Sequence, residues 1–276
     1  MTGLGASSPS TTRLDGPPVF RHESLSGHRV TIRRGDGFVR KEFRDEASWV
    51  RELTALRLLA STSVRVPQVI RTGWEGKRRY IDLSVIEGVS LSEIPPEEQL
   101  EAYTKLGAAL RALHLESATT QLDPGIQERS CRSILECLKW MPTKWQPKLR
   151  HYIELERRRI EVPVRSLIHR DIRSANVFYE SNRNAVVLID FEVAVWGAAQ
   201  GEFGRAVEWE LRERQELAAA LERGYGQPIL STAEERRLWR TVFAIEMLTF
   251  ARKTSGKTWS DLSPELLPWL LYVVDN

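Results

Sequence analysis

Cysteine is scarce in this sequence, which contains only Cys131 and Cys137. The two lie six residues apart in a segment of helical character, so they point to different faces and we expect no disulfide between them. Two cysteines without a Cys-x-x-Cys spacing cannot make a zinc site on their own. The composition therefore favours a reducing, cytoplasmic setting.

Long apolar runs are also absent. No stretch approaches the roughly 18 to 20 apolar residues of a membrane span, so we expect no membrane association. Residues 1–10 lack the basic start and apolar core of a signal peptide, and we expect residues 1–15 to form a flexible tail. No internal repeat is found. A chain of 276 residues with 28% charged residues suits a globular protein with one large domain or two lobes.

The net charge is only +3, but it is unevenly distributed. Residues 139–173 contain ten Lys and Arg against four Asp and Glu. This is typical of a solvated helix face, and the alternative is a surface that attracts an anionic or protein partner. No nucleic-acid-binding signature accompanies the basic stretch, so we expect no nucleic acid partner.

What the sequence does contain is a polar loop between apolar segments, within residues 167–191. Asp171 is followed five residues later by Asn176, and Asp190 follows the apolar run 186–189, which predicts a buried strand. A plain turn would also use Asn and Asp, but not at this spacing, which is that of a kinase catalytic loop and its metal-binding Asp. We therefore predict Asp171 as the base or orienter of an attacking hydroxyl, and Asn176 and Asp190 as Mg²⁺ ligands.

The N-terminal part predicts three short strands over residues 19–43, followed by a helix over residues 47–60. Lys41 shares a strand face with apolar residues, which requires an explanation in a half-buried strand. Its stem could lie over the sheet with the ammonium in water, or it could be the lysine that pairs with nucleotide phosphates. The helix places Glu52 where it can pair with Lys41.

A loop and a hinge complete the predicted nucleotide site. The loop contains Ser24, Ser26 and Gly27 but lacks a Gly-x-Gly-x-x-Gly repeat, so phosphate contact through its hydroxyls or backbone N–H groups is a hypothesis. The hinge between lobes is placed at the end of the next strand pair, where the backbone near Leu83 and Val85 would contact an adenine.

The remainder of the chain predicts mostly helices. The expected segments are a helix over residues 97–115, a helical region over 117–160 broken at Pro142 and Pro147, a helix over 207–225, a capping box at 231–234 that opens a helix through Arg252, and a closing helix over 263–274.

Taken together, Lys41, Glu52, Asp171, Asn176 and Asp190 resemble the set of the kinase-like fold. The C-terminal half is most similar to the aminoglycoside-phosphotransferase-like family. No Ala-Pro-Glu element of a protein-kinase activation segment follows the metal-binding Asp, and the Glu-Arg-Gly-Tyr-Gly-Gln-Pro string precedes a capped helix as in that family.

The resemblance covers residues 18–255 and implies an α+β, two-lobed protein-kinase-like fold. It implies an N-lobe over residues 16–86, with a small antiparallel sheet and one helix that cover the nucleotide. A larger, mainly helical C-lobe over residues 87–276 would hold the catalytic and acceptor-binding groups. ATP and Mg²⁺ are the cofactors that it implies.

The sequence departs from the family at two arginines. Arg170 stands where the family usually has Gly, and Arg173 stands where Ser/Thr protein kinases carry a phosphate-contacting Lys. A guanidinium at Arg173 would neutralise charge on the moving phosphoryl group, so we count Arg173 among the catalytic candidates. A plain salt bridge is the equal alternative.

Charge also bears on the acceptor. A polycationic aminoglycoside calls for an acidic pocket, whereas the segment before the catalytic loop is basic. We expect a phosphotransferase that moves the γ-phosphate of ATP to a hydroxyl of another kind of small molecule. The alternatives are a Ser/Thr kinase that acts on a peptide, as in lanthipeptide precursor phosphorylation before elimination, and a pseudokinase scaffold that binds a partner without catalysis.

Overall fold

The structure is a computed structural model that describes residues 20–23, 29–254 and 256–275. Outside these residues lie the predicted tail and the loop predicted to contact phosphate: residues 1–15, Ser24, Ser26 and Gly27. No helix in the described stretches is long and apolar enough to cross a membrane. Both cysteines are free thiols, as expected.

An antiparallel sheet of five strands forms before residue 85, in the order β1-β2-β3-β5-β4. Its strands are β1 (Phe20–Glu23), β2 (Arg29–Gly35), β3 (Phe38–Phe43), β4 (Val69–Glu75) and β5 (Arg78–Ser84). The hairpin between β2 and β3 turns at Gly37, whose φ of +72° favours glycine. Because β3 is paired on both sides, Lys41 lies in register between Ile32 and Ile81 at the centre of the sheet.

The single helix of this region is α1 (Glu46–Leu59), close to the predicted 47–60. Asp45 caps its first turn by accepting the Ser48 N–H at 2.8 Å. Its buried face carries Leu53 and Leu56 together with Glu52, which is only 1% exposed. A buried carboxylate among leucines requires a partner, which the sheet supplies.

Short strands position the polar loop of residues 167–191. They are β6 (Val89–Ser90), β7 (Ser166–Ile168), β8 (Val177–Glu180), β9 (Ala185–Leu188) and β10 (Val195–Gly197). β8 pairs with β6 and β9, and β7 pairs with β10, all antiparallel. The predicted polar loop between apolar segments is present, and β9 matches the buried strand predicted over residues 186–189.

The rest of the described chain is mainly helical. Its helices are α2 (Pro96–Glu116), α3 (Cys131–Cys137), α4 (Gln146–Leu155), α5 (Arg157–Ile160), α6 (Phe203–Arg205), α7 (Gln215–Tyr225), α8 (Ala233–Thr254) and α9 (Gly256–Asp275). α2 and α7 pack closely because glycines face the other helix. A β-carbon on Gly107 would collide with the Leu221 carbonyl oxygen and lie 2.6 Å from the Tyr225 nitrogen.

Several predicted boundaries were wrong. The helix predicted over residues 207–225 is interrupted, because a π-helical turn (Ala206–Glu210) and a non-helical link precede α7. The capping box lies one residue later than predicted: Thr232 Oγ1 accepts the Glu235 N–H at 3.1 Å, and the Glu235 carboxylate accepts the Thr232 N–H at 3.4 Å.

Prolines account for two further corrections. Pro147 lies in the first turn of α4 instead of breaking a helix, because a first-turn proline loses no hydrogen bond. The closing helix begins at Gly256, not residue 263, with Pro264 and Pro268 inside it. The α+β architecture, an antiparallel sheet with one helix followed by a mainly helical part, is confirmed, whereas the lobe boundary at residue 86 stays a prediction.

Candidate active site

His169 ties the catalytic loop to the segment that carries Asp190. It follows β7 directly and is fully buried. Its Nε2 lies 2.7 Å from the Ile189 carbonyl oxygen, and its Nδ1 accepts the Asp171 N–H at 3.3 Å. Its ring also packs on the Phe191 ring, with 4.5 Å between the ring centroids. His169 is therefore a positioning residue that holds the catalytic loop against the segment that carries Asp190.

A buried carboxylate, Glu202, holds the same loop from the other side. It accepts the N–H groups of His169 at 2.6 Å and Arg170 at 2.9 Å. Burial alone would raise the pKa of Glu202, but hydrogen bonds and the nearby His114 and His169 outweigh it and keep that pKa below its ordinary value. An ionised Glu202 thus fixes the loop backbone.

Two non-glycine residues in the site have left-handed backbones. φ is +69° at Arg170 and +72° at Asp190. A side chain in this region costs of order 1 kcal/mol, and such strain clusters at functional sites. The value at Arg170 explains why the family to which the sequence was compared uses Gly there, since glycine adopts this conformation without penalty.

Asp171 is buried and surrounded by donors. Asn176 Nδ2 donates to its Oδ2 at 2.9 Å and to its backbone oxygen at 3.0 Å. Arg173 Nε lies 3.3 Å from Oδ2, and Arg205 Nε lies 3.6 Å from Oδ1. Burial raises the pKa of Asp171, and the two guanidinium groups oppose this only in part. The predicted salt bridge of Arg173 is present.

Lys41 reaches the same site from the sheet. Its Nζ lies 3.0 Å from Glu52 Oε2, which confirms the predicted ion pair, 2.6 Å from Asp190 Oδ1 and 3.5 Å from Glu192 Oε2. Burial would lower the pKa of Lys41, but the three carboxylates outweigh it and keep the ammonium charged. Burial raises the pKa of Glu52, partly offset by Lys41.

Hard oxygen donors meet next to Asp171. The amide nitrogen of Asn176 is used on Asp171, and its Oδ1 accepts no hydrogen bond from a described residue. The carboxylate of Asp190 is 16% exposed. No group of three or more His, Cys, Asp or Glu in the described chain forms a metal cluster. This donor set fits Mg²⁺, which proteins hold through one or two side chains together with phosphate oxygens.

The predicted hinge residues differ in their backbone environment. Leu83 is part of β5 and is paired in register with Val39 and Val69, so the sheet engages its backbone. Val85 follows the strand, and its backbone forms no hydrogen bond with another described residue. Val85 therefore has the freer backbone for an adenine contact, and the role of both residues stays a prediction.

Sequence reasoning missed four residues of this site. Glu192 had a weak signal, since it is two residues beyond Asp190. Glu202, Arg205 and Glu210 had none, because only folding brings them to the loop. Glu210 closes the π-helical turn and accepts the Ser174 N–H at 3.1 Å. A π-turn is common at functional sites, and here it lies between Arg205 and Glu210.

The sequence matches the model of the "Phosphotransferase enzyme family" (APH) over residues 23–239. The chain belongs to this family. The predicted family and the predicted enzyme class, a kinase or phosphotransferase, are thereby confirmed. No curated protein matches the sequence of this phosphotransferase.

Solved structures show the same fold at low sequence identity. The apo thermostable mutant of aminoglycoside phosphotransferase APH(4)-Ia has a TM-score of 0.72 at 15% identity, covering 95% of this chain and 96% of its own. Its D198A ternary complex with ADP and hygromycin B has a TM-score of 0.70 at 16% identity, covering 93% of this chain and 92% of its own. A choline/ethanolamine kinase family protein from Mesorhizobium loti has a TM-score of 0.64 at 16% identity, covering 98% of this chain and 96% of its own. The kinase-like fold of this phosphotransferase is confirmed.

Proposed function

We propose that this phosphotransferase moves the γ-phosphate of Mg·ATP to a hydroxyl of a small molecule that is not a polycationic aminoglycoside. The observation that supports this is the convergence of five side chains from distant parts of the chain. Lys41 contacts Asp190 at 2.6 Å, and Asn176 contacts Asp171 at 2.9 Å. Glu52 holds Lys41 at 3.0 Å.

ATP is the proposed nucleotide. In this proposal Lys41 pairs with the α- and β-phosphates, Glu52 positions its ammonium, and the backbone at Leu83 and Val85 contacts the adenine. The loop of Ser24, Ser26 and Gly27 is proposed to cover the phosphates. A structure with the same fold binds ADP and hygromycin B, which supports nucleotide use here.

Asn176 and Asp190 are proposed to hold Mg²⁺, with Glu192 close behind them. The ion would neutralise charge on the phosphate oxygens. Both side chains offer oxygen ligands, and the left-handed backbone of Asp190 fixes the direction of its carboxylate. No other group of described residues offers a comparable set beside Asp171.

Asp171 is proposed to accept the proton of the acceptor hydroxyl. The hydroxyl oxygen forms a bond to the γ-phosphorus, the bond from that phosphorus to the β-γ bridging oxygen breaks, and ADP leaves. Burial raises the pKa of Asp171, which makes it a better proton acceptor than an exposed aspartate, while Arg205 and Arg173 oppose that rise in part. Arg173 is proposed to neutralise charge on the moving phosphoryl group.

Ion pairs within the basic stretch weaken the case for a peptide substrate or protein partner there. Five of its arginines contact carboxylates: Arg157 with Glu161, Arg159 with Glu156, Arg165 with Glu128, Arg170 with Glu246 and Arg173 with Asp171. Neutralised arginines attract an acidic partner less strongly. The full set of site residues also argues against a pseudokinase scaffold. A cytoplasmic location remains part of the proposal, in keeping with the two free thiols.

Phosphoryl transfer from [γ-³²P]ATP tests the proposal across hydroxylated antibiotics, sugars, nucleosides, hydroxy acids and peptides. We expect Mg²⁺-dependent labelling of a small molecule that Asp171→Ala and Asp190→Ala abolish. Lys144→Ala, at an exposed lysine, is the control and should retain activity. Full transfer by both aspartate variants, or labelling of peptides alone, would rule the proposal out.

A further inference from the structure

A cavity of about 600 Å³ lies beside Asp171. Arg170, the neighbour of Asp171 in the chain, and Arg205, 3.6 Å from its Oδ1, both line it. The volume is in the range of small-molecule sites, about 300 to 1,000 Å³. If Asp171 receives the proton of an acceptor hydroxyl, the body of the acceptor must extend into this cavity, so the inference rests on the proposed function.

The carboxylates of the cavity are already engaged by the protein. Glu246 lies between two arginines, 3.0 Å from Arg129 and 3.2 Å from Arg170. The others are Glu128 with Arg165 at 2.7 Å, Glu136 with Arg132 at 3.3 Å, and Asp45 with the Ser48 N–H at 2.8 Å. A polycationic ligand would have to compete for carboxylates that already have partners within the protein.

The cations at the exposed rim are different. Lys139 and Lys253 both line the cavity and are both exposed. Neither forms an ion pair with another residue in the described part of the chain. Lys139 Nζ lies 5.8 Å from the ring centroid of Trp140, which also lines the rim. The rim thus presents two positive charges that form no ion pair with a carboxylate among the described residues.

An apolar wall connects the rim to the catalytic end. It is one face of α8, formed by Trp239, Val242, Phe243, Met247 and Phe250, which recur along the helix at about one turn. Lys253 continues the same face by one further turn. The cavity therefore has, in order, a catalytic end at Arg170 and Arg205, which adjoin Asp171, an apolar wall and a cationic rim.

We propose that the acceptor is a hydroxyl compound with a flat or aliphatic apolar body and an anionic group, a carboxylate or phosphate, at the end far from the reacting hydroxyl. Lys139 and Lys253 bind the anionic group, and the α8 face binds the body. The separation keeps the acceptor's negative charge away from Asp171 and the transferred phosphate, where it would be repelled.

Isothermal titration calorimetry without nucleotide tests recognition separately from phosphoryl transfer. The probes share one skeleton: 6-(hydroxymethyl)-2-naphthoate, the corresponding 2-phosphonate, the neutral methyl ester of the naphthoate, and the analogue with an aminomethyl group in place of the carboxylate. We expect the two anions to bind about tenfold tighter than the ester and the amine to bind weakest. Raising NaCl should weaken only the anions.

Charge reversal at the rim gives the residue-level test. Lys139→Glu and Lys253→Glu should each weaken anion binding by about threefold to tenfold and leave ester binding unchanged. Lys144→Glu, a reversal at an exposed lysine that does not line the cavity, is the matched control and should change neither. Because all three side chains are exposed, the variants should fold.

Tightest binding of the amine, equal binding of all four probes, or anion binding that survives both reversals would overturn the inference. If the binding order is retained but no probe is phosphorylated with Mg·ATP, the result would count against the proposed function. It would still support anion binding at the cationic rim. A wild type that phosphorylates only cationic acceptors would uphold the proposed function and refute this inference.

Discussion

Lys41 Nζ lies 2.6 Å from Asp190 Oδ1, although the two residues are 149 positions apart in the chain. The same ammonium contacts Glu52 at 3.0 Å and Glu192 at 3.5 Å. One cation from the sheet thus compensates three carboxylates from α1 and the segment after β9. This contact joins the predicted nucleotide site to the predicted metal ligands.

Lys41→Met should therefore lose both activity and stability. We expect kcat/KM to fall by at least about 100-fold, because the phosphate-pairing cation is gone. The buried carboxylates lose their partner, which should cost about 3 kcal/mol in unfolding free energy. Steady-state kinetics and urea denaturation measure the two effects. Lys144→Met, at an exposed site, is the control, and near-normal turnover of Lys41→Met would contradict the assignment.

Asp171→Asn should lower activity and raise stability. Burial raises the pKa of Asp171, so its ionised form is disfavoured in the folded state near neutral pH. Removing the charge should raise the unfolding free energy at pH 7 by about 1 kcal/mol. The gain should shrink as pH falls towards about 4, where the unfolded-state carboxyl takes up its proton.

The measurement is urea denaturation of both proteins across this pH range, alongside kcat, which should fall at least about 100-fold. Asp36→Asn, at the exposed β2–β3 turn, controls for a general loss of negative charge. A variant less stable than the wild type at pH 7 would show that Asp171 is stabilised as an anion.

Arg205→Gln should change the pH profile of the reaction. Arg205 lowers the pKa of Asp171 against the effect of burial, so its removal should raise that pKa further. Since the ionised carboxylate is the active form, the acidic limb of kcat/KM should move to higher pH, by about half to one unit. Arg205→Lys, which keeps the positive charge, should retain most of the wild-type pH profile. A limb that stays in place or moves to lower pH would exclude this role.

Arg170 allows a test of backbone strain. At φ +69° glycine is unstrained but alanine is not. Both Arg170→Gly and Arg170→Ala lose the 3.2 Å ion pair with Glu246, so the two variants differ mainly in backbone preference. We expect the Gly variant to be more stable by about 1 kcal/mol, the reverse of the usual order. Chemical denaturation measures the unfolding free energy of both variants. A more stable Arg170→Ala variant would show that the backbone at residue 170 is not strained.

Gly107→Ala tests the close packing of α2 on α7. Alanine is the better helix former, yet its β-carbon would lie 2.6 Å from the Tyr225 nitrogen and collide with the Leu221 carbonyl oxygen. We expect a loss of about 2 kcal/mol or more, since backbone must move. Ala108→Gly, on the exposed face of α2, should cost only about 1 kcal/mol through helix propensity. A neutral Gly107→Ala would mean that the helices can separate freely.

Most of the fold was predictable where local pattern and packing agree. Apolar residues spaced three and four apart predicted α1, and alternating apolar residues on either side of the Gly37 turn predicted β2 and β3. The prediction failed between residues 206 and 214, where the π-turn is stabilised by contacts with the catalytic loop and not by local propensity. Glu210 makes such a contact to Ser174. A signal that depends on a distant partner cannot be seen in a short window of sequence.

The sequence by itself determined the family, the α+β class and the reaction type, because phosphoryl transfer needs a few residue types at strict spacing around Asp171. Only the tertiary structure decided which other charges surround that aspartate. Arg205 and Glu202 are more than 30 residues away and reach the loop through helix packing. The cationic rim of Lys139 and Lys253 likewise exists because α8 packs against α3 and the turn that follows it, and a local sequence pattern does not show that contact.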